Sequence, residues 1–319
     1  MNLSRFALAS FVLFIGCGDE TPTPTPTPTE KASVERGKYI VDHLGPCGQC
    51  HTPKLPDGMP DPNAFLGGDD CFIDVDPMDP NIGCISAPNI TNHAAGLANR
   101  SDDEIKDMIT KGIRPDGSAM FPIMPYFLIA TFTPNDVDSV IMYLRTTQPV
   151  DRKTAPNQPP FDVPISAPAP PLQADEMPMP TVESDATMRG RYLATAACIT
   201  CHTPLVEPTD FRTLDKTKLF AGNNMFASAV LGYPSPPFPQ VIHSTNLTPH
   251  PTTGLGYTKE QLINLLETAK DKTGGNVCPP MPIKGAYQGL TDADMSDLAD
   301  YILALPPIDN AIAGTCVAP

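Results

Sequence analysis

Two short segments of this 319-residue chain have the residue types and the spacing to do the same chemistry. The first is GPCGQCHTPK, which begins at residue 45, and the second is ACITCHTP, which begins at residue 197. Two cysteines separated by two residues and followed directly by histidine form the attachment signature of a c-type haem, in which the thiols bond covalently to the haem and the histidine becomes an iron ligand. The spacing therefore predicts two covalently bound haem c groups, with attachment residues Cys47, Cys50 and His51 in the first segment and Cys198, Cys201 and His202 in the second.

A Cys-x-x-Cys pair can also be half of a zinc site or a redox-active dithiol. Two such pairs could supply four thiolates to one structural zinc ion, but that interpretation gives no role to the two histidines or to the Thr-Pro that follows each of them. A dithiol of the thioredoxin type requires a βαβ context, which the sequence lacks. Haem attachment is the interpretation that accounts for all the repeated residues.

A six-coordinate haem iron needs a second axial ligand, and methionine is expected in a high-potential electron carrier because its soft thioether stabilises reduced iron. Met124 and Met281 each stand in a Met-Pro pair shortly before the last predicted helix of their half, whereas Met120 has no methionine counterpart. We therefore expect His51 and Met124 to bind one iron, and His202 and Met281 to bind the other. The competing ligands are four histidines, His43, His93, His243 and His250. His43 is too close to its own motif to reach the opposite haem face. His93 and His250 are expected to be solvent-exposed loop residues.

The chain contains nine cysteines, of which the two motifs use four. In an oxidising compartment the remaining thiols are expected to pair. Four cysteines allow three connectivities, and proximity in the sequence favours Cys71 with Cys84 and Cys278 with Cys316. The alternative is four free, buried thiols.

Residues 1–17 have the pattern of a bacterial lipoprotein signal peptide, with an apolar run too short to span a bilayer as a mature helix. The segment FIGC resembles a lipobox, so Cys17 is the expected lipidated residue and membrane anchor. By resemblance to sorted lipoproteins, Gly18 favours the outer membrane, with the folded part facing the periplasm. The alternating Thr-Pro run within residues 18–30 predicts an extended stalk.

After the stalk the sequence repeats itself in four blocks that keep their order and approximate spacing. These blocks are RGKYIVDHLGPCGQCHTP (36–53) with RGRYLATAACITCHTP (189–204), AFLGGDDCF (64–72) with LFAGNNMF (219–226), the NIT block (87–105) with the NLT block (244–262), and the Met-Pro block (122–144) with its counterpart (279–303). The duplication predicts two tandem domains, residues 31–150 and 181–319. A proline-rich linker over residues 151–180 joins them.

Each copy is expected to be mainly α, with long loops between the helices. A middle helix is predicted from the capping-box pairs Ser101 with Glu104 and Thr258 with Gln261. The last helix of each copy is predicted to begin at Thr133 or Thr291 and has apolar residues at helical spacing, namely Val137, Val140, Ile141 and Leu144 in one copy and Met295, Leu298, Ile302 and Leu305 in the other.

The first and last helices of each copy are expected to cross closely. The first helix carries Gly37 and Tyr39 in one copy and Gly190 and Tyr192 in the other. A tyrosine lies on each last helix, at positions 143 and 301, where packing alone accounts for it.

The CxxCHTP motifs, the glycine block, the NIT/NLT block and the Met-Pro before a terminal helix resemble class I c-type cytochrome domains. They are most similar to the cytochrome c subunits of membrane-bound alcohol and gluconate dehydrogenases. This resemblance covers residues 31–150 and 181–319, and it implies two cytochrome c-like helical domains around covalently bound haem. The chain departs from those subunits in having two haem motifs where three are typical, and in having Ile283 in place of the tyrosine after Met-Pro.

The net charge of −15 argues against nucleic acid and anionic membrane surfaces as partners, and favours redox proteins with a basic docking patch. The sequence predicts a non-enzymatic electron carrier in the bacterial cell envelope, between a dehydrogenase or quinol-linked donor and a terminal acceptor. One alternative is a dihaem enzyme, either a peroxidase or a thiosulfate-oxidising cytochrome, with a labile distal ligand and with Cys278 as a candidate cysteine ligand. Another is a haem-based sensor, although no signalling module is visible.

Overall fold

The computed structural model describes residues 31–55, 60–75, 79–206, 213–228, 239–278, 281 and 286–312. Residues 1–30, with the expected signal peptide, Cys17 and stalk, and also Cys316 lie outside these ranges. The helices are α1 (Val34–Tyr39), α2 (Gly48–His51), α3 (Asp102–Lys111), α4 (Tyr126–Ile129), α5 (Pro134–Thr146), α6 (Asp185–Ala197), α7 (Ile199–His202), α8 (Lys259–Thr268) and α9 (Asp292–Leu303). A π-helical turn, Ile40–Leu44, continues α1. The described ranges are thus mainly helical, as the sequence predicts.

The same elements follow one another in the first and second halves of the described chain. The first helix is α1 with its π-helical turn in the first half and α6 in the second, and it leads into a short helix that carries the haem motif. A middle helix and a last helix come later in each half. Between the motif and the middle helix, each half also has a two-stranded antiparallel ribbon, which was not predicted. The ribbons are β1 (Asp69–Asp74) with β2 (Cys84–Ala87), and β3 (Met225–Ala227) with β4 (Val241–His243).

The helix starts follow the predicted capping residues. Ser101 and Glu104 form a reciprocal capping box at α3, and Thr258 and Gln261 form one at α8. The hydroxyl of Thr133 caps α5 by accepting the N–H of Asp136, and Thr291 caps α9 in the same manner. These side chains satisfy backbone donors that have no partner within the helix.

The first and last helices of each half cross at a glycine, as the sequence predicts. A Cβ atom placed on Gly37 would lie 1.9 Å from the carbonyl oxygen of Ser139, and one on Gly190 would lie 1.9 Å from that of Asp297. No other residue could stand at these two points without moving a helix. The predicted apolar residues of α5 and α9 are buried in the same region.

Most of the buried apolar side chains of both halves belong to one continuous hydrophobic cluster. The proline-rich segment crosses from one half to the other along the surface. The N–H of Leu172 donates to the carbonyl of Phe127 in the first half, and Arg191 in α6 donates to the carbonyl of Met177. The segment is a packed strap without a core of its own.

The structure joins Cys71 and Cys84 in a disulfide that closes the β1–β2 ribbon, and Cys278 is also disulfide-bonded. A disulfide-bonded sulfur is not available as a thiolate ligand, so the candidate role of Cys278 as an iron ligand is wrong. Across the described ranges, no helix combines the length and apolarity needed to cross a bilayer.

Candidate haem-binding sites

The two CxxCH motifs form the short helices α2 and α7, which follow directly on α1 with its π-helical turn and on α6. All four motif cysteines are free thiols in this structure, whereas Cys71, Cys84 and Cys278 are disulfide-bonded. Burial raises the pKa of the Cys47 and Cys198 thiols to about 12 and that of Cys50 to about 11. A reactive dithiol needs the opposite shift, toward thiolate at neutral pH, so the redox-dithiol alternative is disfavoured.

A shared zinc site is disfavoured by geometry. Among the residues that the structure describes, one group of three cysteine, histidine or acidic side chains has its ligand atoms within 4.8 Å of one another, and it consists of Cys71, Asp74 and Cys84. Two of those three are joined to each other by a disulfide. The motif cysteines therefore do not converge on a common ion.

Each motif histidine has one ring nitrogen fixed by a backbone carbonyl. His51 Nδ1 lies 2.7 Å from the carbonyl oxygen of Pro88, and His202 Nδ1 lies 2.8 Å from that of Thr245. A carbonyl can only accept, so Nδ1 carries the proton and Nε2 keeps its lone pair. Burial lowers the pKa of both imidazoles, which keeps them neutral despite the opposing effect of the carbonyls. A neutral imidazole oriented by a hydrogen bond from its other nitrogen is the form in which histidine binds iron.

The threonine after each histidine closes the loop beneath the motif. Thr52 Oγ1 accepts the N–H of Leu66 at 3.1 Å, and Thr203 Oγ1 accepts that of Phe220 at 3.0 Å. Leu66 and Phe220 both have positive φ values, 62° and 60°, which are unfavourable for residues with a side chain. The buried threonine hydroxyls therefore hold a strained turn in the same place in both halves. The repeated Thr in CxxCHTP is the sequence signal for this role, which was not predicted.

The NIT and NLT blocks hold the carbonyls that orient the histidines. The Oδ1 atom of Asn89 accepts from the backbone N–H and the hydroxyl of Thr91, and Asn246 does the same with Thr248. Pro88 and Thr245, whose carbonyls contact the motif histidines, directly precede these asparagines. The repeat of this block is thus explained, because in both halves its asparagine follows the residue whose carbonyl orients the motif histidine.

The candidate methionine ligands occupy equivalent turns. The N–H of Met124 donates to Phe121 O at 3.2 Å, and that of Met281 donates to Cys278 O at 3.1 Å. Both side chains are half-buried and pack against the core cluster, and so does Met120. Their packing does not separate Met124 from Met120, and the assignment of Met124 rests on its match with Met281.

The competing histidines have hydrogen-bond partners away from the motifs. His43 Nδ1 lies 3.0 Å from Ala286 O, and His243 Nδ1 lies 2.9 Å from Asn223 Oδ1. His93 and His250 lie in surface loops, but their side chains are only 27% and 21% exposed. Both are thus partly exposed loop residues, and backbone N–H groups of their own loops donate to their rings.

The residues present fit covalently bound haem. Each half supplies two free thiols and one neutral, oriented imidazole in the required order. Among the described residues, no hydrogen-bond partner lies on Nε2 of either imidazole. The same fold elements place this set twice, once in each half.

Comparison with known proteins agrees with this donor set. Residues 187–306 match the family model of cytochrome c, so this region belongs to the cytochrome c family. The match contains the second motif, its carbonyl partner and Met281. The chain therefore contains a cytochrome c domain.

The chain is homologous to cytochrome subunits of dehydrogenases. It is 30% identical over 303 residues to the fructose dehydrogenase cytochrome subunit of Gluconobacter japonicus, with 90% of this chain and 55% of that one covered. It is 27% identical to the alcohol dehydrogenase (quinone) cytochrome c subunit of Gluconacetobacter polyoxogenes, with 95% and 61% covered. The gluconate 2-dehydrogenase cytochrome c subunit of Pantoea cypripedii is 26% identical, with 86% and 60% covered. The chain thus spans somewhat over half the length of these relatives.

Proposed function

We propose that this chain is a dihaem c-type cytochrome that transfers electrons, one per haem, in the bacterial cell envelope. The observation that carries the proposal is the duplicated site, in which each half orients its motif histidine by a carbonyl and uses its motif threonine to hold the same turn. Bound haem supplies the redox chemistry, since its iron can alternate between the ferric and ferrous states. Residues 31–150 and 181–319 are then the two haem domains, and residues 151–180 are the strap between them.

The protein's own part is to hold and tune the haem. Cys47 and Cys50, and likewise Cys198 and Cys201, provide the attachment points. His51 and His202 provide one axial ligand each, and Met124 and Met281 are proposed to provide the other. A thioether opposite imidazole favours the reduced state, which suits a high-potential carrier.

The donor and the acceptor are proposed by analogy with the relatives, which are named as cytochrome subunits of fructose, alcohol and gluconate dehydrogenases. A dehydrogenase or quinol-linked complex would supply electrons to the chain. The net charge of −15 favours a partner with a basic docking patch. We propose that lipidation of Cys17 holds the cytochrome at the membrane on the periplasmic side, and Gly18 is the feature that favours the outer membrane.

The test is the optical spectrum of the oxidised and reduced holoprotein, before and after addition of carbon monoxide. An electron carrier with two methionine-ligated haems should be low-spin, should show the methionine-to-iron charge-transfer band when oxidised, and should not react with the gas. Met124→Leu and Met281→Leu should each allow one haem to bind carbon monoxide. Met120→Leu, a change of similar size in the same core, is the matched control and should leave the spectrum unchanged.

Other results would change the assignment. Carbon monoxide binding by the unmodified protein would show an open iron position and would favour the dihaem enzyme. A normal spectrum in Met124→Leu together with an altered one in Met120→Leu would move the first axial ligand to Met120.

A further inference from the structure

Among the hydrogen-bonded contacts between the two halves, two mirror each other. In one, Tyr39 Oη donates to Asp294 Oδ2 at 2.5 Å and accepts the backbone N–H of Thr291 at 3.2 Å. Tyr39 belongs to α1 of the first half, and the other two residues begin α9 of the second half. A single hydroxyl thus binds both the cap and the first turn of a helix from the other half.

The second contact exchanges the roles of the halves. Tyr192 Oη, in α6 of the second half, donates to Asp136 Oδ2 at 2.6 Å and accepts the N–H of Thr133 at 3.3 Å, at the start of α5 in the first half. The tyrosines occupy matching positions in the repeated RGKY and RGRY segments. The aspartates occupy the same position after the capping threonine. We call these two interactions the paired tyrosine contacts.

Neighbouring side chains stabilise the paired tyrosine contacts. Arg36 binds both carboxylate oxygens of Asp136 at 2.8 Å, so that this carboxylate is fixed while it accepts from Tyr192. The ring of Phe132 lies 6.0 Å from that of Tyr192. Burial raises the pKa of Tyr39 to about 12 and raises that of Tyr192 as well, so both hydroxyls keep the proton that they donate.

The paired tyrosine contacts act on the helices that lead into the haem motifs. α1 and its π-helical turn end just before Cys47, and α6 ends just before Cys198. The π-helical turn that leads to the first motif also contacts the second half directly, since His43 Nδ1 lies 3.0 Å from the carbonyl oxygen of Ala286. Fixing α1 against α9 and α6 against α5 therefore fixes one attachment site relative to the other.

We infer that Tyr39 and Tyr192, through Asp294 and Asp136, are positioning residues that hold the two haem sites in one fixed relation, so that electrons pass between the haems within a single rigid unit. The inference rests on the proposed function in that each half carries a haem. The contacts act cooperatively, since each one brings together the surfaces on which the other depends.

The experiment is amide hydrogen exchange on the holoprotein, followed in peptides that contain Thr133 and Thr291. Tyr39→Phe removes the acceptor of the Thr291 amide, so faster exchange at Thr291 is expected whether or not the two contacts are cooperative. The informative amide is that of Thr133, which still has Tyr192 as its partner. If the contacts are cooperative, its exchange should accelerate by about tenfold in Tyr39→Phe, because a hydrogen bond to a charged acceptor is worth at least about that factor and exchange follows the open population. Tyr192→Phe should accelerate exchange at Thr291 in the same manner.

Two further variants make the test specific. Tyr257→Phe removes a hydroxyl that accepts the N–H of Lys272 inside the second half, and it should leave both amides unchanged. Asp294→Asn keeps an oxygen acceptor for Tyr39 and should accelerate exchange at Thr133 less than Tyr39→Phe does. Unchanged exchange at Thr133 in Tyr39→Phe would overturn the inference, because the two contacts would then be independent.

The haem content and the spectrum of each sample separate this inference from the proposed function. A wild-type protein with a single haem contradicts the proposed function whatever the exchange shows. In a two-haem protein, the double variant Tyr39→Phe/Tyr192→Phe should keep both low-spin spectra but equilibrate electrons between its haems more slowly after flash reduction. Faster exchange with an unchanged electron-transfer rate would contradict the positioning role.

Discussion

Gly190→Ala should destabilise the protein although alanine is the better helix former. A Cβ atom at this position would lie 1.9 Å from the carbonyl oxygen of Asp297 and 2.7 Å from Cβ of Tyr301. Ordinary contact begins at 3.4 Å, so α6 and α9 must separate by about 1.5 Å, which is 3.4 minus 1.9. Because the obstacle is backbone, we take the upper part of the usual overpacking cost, about 3 kcal/mol. Alanine in place of glycine returns about 1 kcal/mol of helix propensity, which leaves a net loss of about 2 kcal/mol in the free energy of unfolding.

The assay is thermal unfolding of the holoprotein, in which this loss should lower Tm by about 3 °C, because the unfolding entropy is about 2.1 cal/mol/K per residue. Gly45→Ala is the matched control, because Gly45 has a φ of −127° and the nearest atoms to a new Cβ lie 4.0 Å away. That variant should unfold close to the wild-type temperature. If Gly190→Ala were as stable as the wild type, or more stable, helix propensity would dominate and the close crossing of α6 with α9 would be refuted.

Three further perturbations test the site and its surroundings. Thr203→Val leaves the buried N–H of Phe220 without its acceptor and should lower the free energy of unfolding by denaturant by about 1–3 kcal/mol. The control Thr217→Val, at an exposed position, should change it little, and equal losses would contradict the role of Thr203. Replacing both Cys71 and Cys84 by serine opens the β1–β2 ribbon and should lower the free energy of unfolding by about 3 kcal/mol, with no loss of haem, as measured by denaturation and absorbance. Asp69→Asn removes a buried carboxylate whose Oδ2 lies 4.0 Å from Lys54 Nζ and whose charge, after burial, is one of the causes that raise the pKa of Cys50. Since negative charge near a haem stabilises its oxidised state, the variant should raise the potential of the first haem in a spectroelectrochemical titration, and a lower potential would contradict this.

The local features of the chain were predictable from the sequence because they depend on neighbouring residues. The capping boxes at Ser101 and Thr258 and the apolar face of α5 are determined within one or two helical turns. The close helix crossings were also predictable, since a glycine repeated at the same place in both copies indicates close backbone approach. The order of the donor residues in each haem site follows from the motifs themselves.

The features that the sequence did not reveal depend on contacts between distant residues. The β1–β2 and β3–β4 ribbons are short, and β1 lacks a regular alternation of buried and exposed residues, so no period-2 pattern marks it. The carbonyl of Pro88 has no side-chain signal at all, although it orients His51. The contact between Tyr39 and Asp294 joins residues from opposite ends of the chain, and nothing in either local segment specifies the packing of the two halves.

The central claim is that each half of the chain carries its own covalently bound haem. Mass spectrometry of proteolytic peptides from the purified protein tests it most directly, because the thioether bonds survive denaturation and digestion. We expect the peptide with Cys47 and Cys50 and the peptide with Cys198 and Cys201 each to carry the added mass of one haem. An unmodified peptide from either motif, with its two thiols free, would contradict the account.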